Sequence, residues 1–188
     1  KWEEIGGKCF QGADKILPIC KHLDDVVREY YPQKASAVMY QGINSDNWFE
    51  ESGMKLKHPC VGLVQSANIW EKAKQLMILP KILEKFPDVM FYWVGDGPYA
   101  KNILPVLEKY KNFKWLGKLE YPDKVRQFLS AIDIYALLTG IDMSPLTLQE
   151  AQLMQKPVIA TSVGGIPELI KDKETGFLVN KNNPDEVI

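Results

Sequence analysis

Two acids, Asp142 and Glu150, stand eight residues apart in the stretch Thr139-Gly140-Ile141-Asp142-Met143-Ser144-Pro145-Leu146-Thr147-Leu148-Gln149-Glu150. Ser before Pro is a helix-start pattern, with Ser144 as the cap and Pro145 at the first helical position, where its missing N–H costs no bond. Leu146 and Thr147 then offer free backbone donors at the positive end of the helix dipole, a site for an anion. Glu150 lies roughly 9 Å further down the axis, at about 1.5 Å per residue. A diphosphate at the helix tip would bring a ribose to that depth, where a carboxylate accepts from its hydroxyls. Asp142 would stand at the mouth. The same spacing also fits a solvated loop acid and an acid on a helix surface.

Three further stretches bear on a binding site. Gly164-Gly165, after an apolar run, permits close backbone approach to a ligand, or is a plain strand-to-helix turn. Lys72 and Lys74 could meet a phosphate from the side, or are solvated lysines at a helix start. Gly95-Asp96-Gly97-Pro98-Tyr99-Ala100 matches G-x-G-x-x-A, but it follows a middle strand, Pro98 removes a donor, and only Glu120 approximates the acid such a motif needs. It reads as a tight turn that shapes the cleft. His22 and His58 are isolated. Trp70, Trp93 and Trp115 read as core or rim. The chain has no G-x-S-x-G, Walker A or H-E-x-x-H.

The elements that must hold these residues alternate. Apolar runs predict strands over 15–19, 37–40, 60–64, 90–94, 114–116, 134–137, 158–160 and 176–179. Amphipathic stretches predict helices over 21–30, 71–86, 99–110, 123–131, 145–154 and 166–170. Val125, Phe128, Leu129 and Ile132 give the cleanest helical spacing. Pro80 and Pro105 should kink or restart their helices. Alternation of this kind predicts an α/β fold, a doubly wound parallel sheet with helices on both faces. Ligands bind such sheets at the carboxyl ends of the strands, which is where these loops lie.

Composition narrows the class. Of 188 residues, 46% are hydrophobic and 25% charged, with a net charge of −1, so neither disorder nor a basic nucleic-acid footprint is expected. No run of about 18 apolar residues spans a membrane. Cys9, Cys20 and Cys60 form no C-x-x-C, and read as free thiols in a reducing compartment, with no disulfide frame or zinc site. The chain lacks an initial Met and reaches a helix start, Asn183-Pro184, close to its end. Both ends read as cut, which predicts a longer parent chain.

Together the motifs resemble family 4 of the GT-B glycosyltransferases, the retaining glycosyltransferase group 1, in its carboxy-terminal nucleotide-sugar-binding domain. The resemblance rests on Ala13-Asp14-Lys15-Ile16 with Tyr40-Gln41-Gly42-Ile43-Asn44, on Glu71-Lys72-Ala73, on Val94-Gly95-Asp96-Gly97-Pro98, and on Trp115-Leu116-Gly117. It continues through Asp142 to Ala151, Lys156-Pro157-Val158-Ile159-Ala160-Thr161, Gly164-Gly165-Ile166-Pro167-Glu168 and Thr175-Gly176-Phe177-Leu178-Val179. It implies that 1–56 are the end of an amino-terminal domain and a linker. Residues 57–188 would be a Rossmann-like nucleotide-sugar domain, truncated at its carboxy end.

Residue by residue, the resemblance implies that Glu150 holds the ribose, Asp142 contacts the donor sugar where the family has a glutamate, and Lys72 meets the diphosphate. Leu119 and Lys124 occupy the base-binding loop. Backbone groups of Ser144, Leu146 and Thr147 cradle the distal phosphate, and Met143, Pro145, Gly95 and Gln65 complete the nucleotide-sugar contacts. Gln65 or Ser66 stands where many members carry an arginine, and Ala73 replaces a glycine. The implied reaction is retaining sugar transfer from a UDP- or GDP-linked donor, without metal or further cofactor. The acceptor, a sugar, lipid or other group, would be held by the missing domain. A cytoplasmic setting is implied, with peripheral association at the inner membrane face left open. An epimerase of the same fold and a non-catalytic nucleotide-binding module are the alternatives.

Overall fold

The computed structural model describes residues 2–188, and the chain divides into two units between Gly42 and Ile43. The first holds α1 (Trp2–Gly12), β1 (Lys15–Ile16), α2 (Lys21–Tyr30) and β2 (Ala35–Ser36), with the two strands parallel. In α2, Asp24 and Arg28 meet at 2.7 Å across one turn, the spacing at which helix side chains face one another. The strand predicted over 37–40 does not form; the pairing residues are Ala35–Ser36. Pro18 opposite has no N–H to return. Beyond β2 the N–H groups of Ala37 and Met39 reach across, to the carbonyls of Ile16 and Pro18 at 3.2 and 2.8 Å.

The second unit is built on six parallel strands: β3 (Cys60–Val64), β4 (Met90–Val94), β5 (Phe113–Gly117), β6 (Ile134–Leu137), β7 (Val158–Thr161) and β8 (Phe177–Val179). Their order is β5-β4-β3-β6-β7-β8, the doubly wound arrangement that the alternation predicts. Strand order reverses between β3 and β6, the place where such sheets take ligands. All of β3 is buried, as its unbroken apolar run requires of a strand covered on both faces. Cys60 and Val64 pack with Phe128 and Leu129 of α6 (Asp123–Ala131) and with Leu148 and Ala151 of α7 (Leu146–Leu153). Val61 and Leu63 point the other way, into Leu79, Ile82 and Leu83 of α4 (Leu79–Lys85) and Ile103 and Leu107 of α5 (Ala100–Leu107). Each such buried side chain contributes about 1.5–3 kcal/mol, so the strand ends form a fixed rim for the loops beyond them.

Three helix expectations need correction. The stretch 71–86 is not one helix but α3 (Trp70–Ala73), a 3-10 segment Lys74–Ile78, and α4, which restarts with Pro80 in its first turn. Pro105 does not interrupt α5; it lies in the last turn, where one backbone bond is lost, and fully buried Ile103 and Leu107 on either side hold the helix to the core. The stretch 166–170 is a single 3-10 turn, Ile166–Glu168, not an α-helix.

Residues 43–56 belong to the second unit. Trp48 is buried there. Arg126 of α6 anchors the segment through Glu51 at 2.5 Å, the Asn47 carbonyl at 3.0 Å and the Phe49 ring at 4.2 Å. None of Cys9, Cys20 and Cys60 is joined in a disulfide. Among the described residues no helix is long and apolar enough to cross a membrane.

Candidate functional site

A cleft of about 380 Å³ opens beyond the carboxyl ends of β3, β4 and β5, with Gln65, Gly95, Lys118, Leu119, Tyr121 and Thr147 in its wall. Two loops build that wall and are knitted together. Ala67 donates its N–H to the Asp96 carbonyl at 2.8 Å, and Tyr99 returns one to Ala67 at 3.1 Å. The Trp93 and Trp115 indoles donate to the carbonyls of Gln65 and Gly95 at 3.0 and 2.8 Å. Gly95 is required: its φ is +148°, and a Cβ there would fall 1.9 Å from the Gln65 carbonyl oxygen. The G-x-G-x-x-A stretch is thus a tight turn in the cleft wall. Gln65 is only 7% exposed, and neither side-chain amide atom has a partner. An unsatisfied buried polar group costs about 1–3 kcal/mol, and Gln65 carries that cost in the cleft wall.

Glu150 lies on the buried side of α7 and is 2% exposed, so it is not the solvated helix-surface acid that its spacing also allowed. Its Oε1 accepts the Tyr121 hydroxyl at 3.1 Å, while Oε2 has no partner. Burial pushes its carboxyl above the usual range, and the Tyr121 bond opposes that in part. Asp142 receives the Lys72 ammonium on Oδ2 at 2.7 Å and the Met143 N–H on Oδ1 at 2.9 Å. Lys74 turns instead to Glu71 at 2.6 Å. Gly164, at φ +56°, lets the Asp142 carbonyl come within 1.9 Å of where a Cβ would stand. The close approach that the Gly-Gly pair permits is therefore to the chain's own Asp142 loop, whose carbonyl also accepts the Gly165 N–H at 3.1 Å.

The start of α7 differs from the expected one. Pro145, not Ser144, is the cap residue, with ψ 113°, and no side chain caps the helix. The Ser144 hydroxyl lies one residue too early and accepts the Gln149 amide at 3.4 Å. The first N–H groups of α7, from Leu146 and Thr147, thus have no side-chain acceptor, which leaves the positive end of the helix to an anion. Of the residues singled out in the sequence, Gln65, Gly95, Leu119 and Thr147 share the cleft wall. Lys72 joins Asp142, and Glu150 joins the cleft through Tyr121. Met143, Ser144, Pro145 and Leu146 form the turn into α7. Lys124 is elsewhere, on the exposed first turn of α6 with its ammonium on Gln127 at 2.9 Å.

The family profile described as glycosyl transferases, group 1, matches residues 61–188, the six-stranded sheet from the second residue of β3 onward and the loops of the cleft. The chain belongs to the group 1 glycosyltransferases. It is 27% identical over 177 residues to an uncharacterised glycosyltransferase of Methanocaldococcus jannaschii, covering 93% of this chain and 48% of that protein. The chain thus spans about half the length of that relative. Its fold is similar to that of sucrose-phosphate synthase from Thermosynechococcus elongatus, with a TM-score of 0.84 at 16% identity over 95% of this chain and 48% of the other. It is also similar to HepE of Anabaena, solved with UDP and glucose, with a TM-score of 0.74 at 19% identity over 93% and 51% of the two chains. The second unit is the Rossmann-like carboxy-terminal half of a GT-B fold.

Sequence reasoning misses two features of this group 1 chain. One is Tyr121, which joins Glu150 to the cleft; an aromatic ring four residues past Gly117, in the loop after β5, was the available signal. The other is at the opposite, amino ends of the strands. There His58, Cys60 and Asp133 bring their ligand-type atoms within 4.8 Å of one another, so His58 is not isolated. Asp133 Oδ2 accepts the Cys60 N–H at 2.7 Å and faces His58 Nδ1 at 2.9 Å. Burial pushes the Cys60 thiol up to about 11. Through Asp133 the cluster ties the residue ahead of β6 to the first residue of β3, at the amino ends of the two central strands.

Proposed function

We propose that the second unit binds a nucleotide-sugar donor and assists departure of the nucleoside diphosphate, as the donor half of a retaining glycosyltransferase. One observation carries the reading: the buried Glu150, with Oε2 unpartnered, on the helix that follows the carboxyl end of β6. A lone acceptor in that position suits a ribose hydroxyl. The uncapped start of α7 and the Lys72 ammonium suit the diphosphate beside it.

The chemistry follows from charge. Breaking the bond from the anomeric carbon to the phosphate oxygen leaves negative charge on the nucleoside diphosphate. Lys72 and the α7 N–H groups are fixed donors for that charge as it develops. A phosphate also competes with Asp142 for Lys72, which frees the Asp142 carboxylate toward the sugar hydroxyls. Gly95, Leu119 and Gln65 line the space for the base and ribose, and the anomeric configuration is retained. The reading draws on no metal and no further cofactor, because protein donors meet the leaving-group charge. UDP and glucose bound to the Anabaena protein support a UDP-linked donor, with GDP as the other base. Acceptor binding belongs to an amino-terminal domain, so this chain alone binds the donor weakly and transfers nothing.

Thermal shift with UDP-, GDP- and ADP-sugars tests the reading. Ligand at about 100 times Kd stabilises by about 2.7 kcal/mol, and no shift with any of the three overturns it. The neutral Gln65 favours a second reading, a nucleotide-binding module without transfer. Lys72→Ala in a chain carrying both halves separates the two, since only an enzyme loses turnover.

A further inference from the structure

Glu150 is the most buried acid of the candidate site, and one side chain donates to it. Tyr121 reaches it from the loop after β5, with its hydroxyl 3.1 Å from Oε1. Tyr121 as a residue is 60% exposed, so burial alone does not hold it in place. Its support is Trp48, whose buried ring lies 5.9 Å away, centroid to centroid. Tyr121 also lines the cleft beside Leu119 and Thr147. The hydroxyl therefore ties one carboxylate oxygen to the wall and leaves the other as an open acceptor.

We propose that Tyr121 is a positioning residue of the donor site: supported by Trp48, its hydroxyl holds the buried Glu150 carboxylate charged and oriented, with Oε2 presented to a ribose hydroxyl. This rests on the donor-site reading above. A hydrogen bond to an ionised acceptor strengthens in a buried setting, and a carboxylate without a donor would take up a proton there instead. The Tyr121 bond opposes the upward push of burial on Glu150. The other titratable groups around Glu150 offer it no proton. On β6, the Tyr135 phenol is driven well up by burial, and it donates to Thr147 at 2.9 Å. Ahead of α7, Asp142 is paired with Lys72. β7 carries no titratable side chain.

The test is calorimetric binding of UDP-glucose, GDP-mannose and ADP-glucose to the wild-type chain, Tyr121→Phe and Glu150→Gln from pH 5 to 8. Nucleotide sugars are used because they lack the phosphomonoester proton that titrates at about pH 6. For whichever sugar nucleotide binds, Tyr121→Phe is expected to weaken binding about tenfold at neutral pH. It should also move the acidic loss of binding to higher pH, because Glu150 then protonates more readily. An affinity and pH limb equal to wild type overturn the Tyr121 assignment alone. So does a loss of affinity that is uniform across pH, as a merely structural change would give. Binding at wild-type affinity in Glu150→Gln, or no binding of any of the three, overturns the donor-site reading and this assignment with it.

Discussion

Asp133 stands at the amino ends of the sheet strands and Glu150 near their carboxyl ends, and the fold treats the two charges differently. Asp133 accepts the Cys60 N–H and faces His58. Burial alone would raise its carboxyl, yet those bonds hold it below the usual range. Glu150 has one donor and one empty oxygen, and burial carries it above that range. One acid fastens β6 to β3; the other is held ready at a cost in stability. On the donor-site proposal, the difference separates a carboxylate that serves the fold from one that waits for a ligand.

Exchanging each acid for its amide should dissociate the two roles. Glu150→Gln is expected to weaken sugar-nucleotide binding by about 1.5–3 kcal/mol, the worth of a hydrogen bond to a charged group. The urea midpoint should hold or rise, because a buried charge is removed. Asp133→Asn should do the reverse: affinity unchanged, stability lower by about 1–2 kcal/mol, and Tm lower by roughly 2–4 °C per kcal/mol. Calorimetry and chemical denaturation on the same preparations measure both. If Glu150→Gln loses stability and affinity together, Glu150 is another structural acid and the contrast fails.

Acid titration gives a smaller signal of opposite sign at the two sites. The folded pKa of Asp133 is lowered, so its stabilisation is present above the unfolded value of about 3.9 and is lost as pH falls through the folded value. The folded pKa of Glu150 is raised, so its cost is present at neutral pH and is relieved as pH falls through that value. Urea midpoints followed toward acid should therefore converge on wild type for both variants. Asp133→Asn approaches from below, and Glu150→Gln from above. Parallel curves at constant separation would remove ionisation from the account of either acid.

How much of this could be read in the sequence depends on the range of each interaction. β3, β4 and β6 appear with their predicted bounds, because a strand buried on both faces is an unbroken apolar run. α6 does too, since its stripe is local. The cleft loops follow from the fold class. The contacts that give the acids their characters join distant positions: Lys72 to Asp142 across 70 residues, Cys60 to Asp133 across 73. No periodicity reports such pairs. The resemblance to the family marked Lys72, Asp142 and Glu150, but it held nothing about Tyr121, whose role depends on Trp48 lying beside it.

Local rules also fail where two of them compete, and Ser144 is the sharpest case. Ser before Pro reads as a cap, and a true cap would cost about 1 kcal/mol to remove. Here the extended Pro145 takes the cap position, and the Ser144 hydroxyl only receives a long bond from Gln149. Ser144→Ala should then change the urea midpoint by no more than about 0.5 kcal/mol, the range of substitutions that touch no special feature. It should leave the α7 N–H groups as open to a diphosphate as before, so sugar-nucleotide affinity stays at the wild-type value. A loss near 1 kcal/mol would mean that Ser144 caps α7 in solution. The helix tip would then be partly occupied by the chain itself, and the contrast between satisfied strand starts and an open cleft would narrow to Glu150 alone.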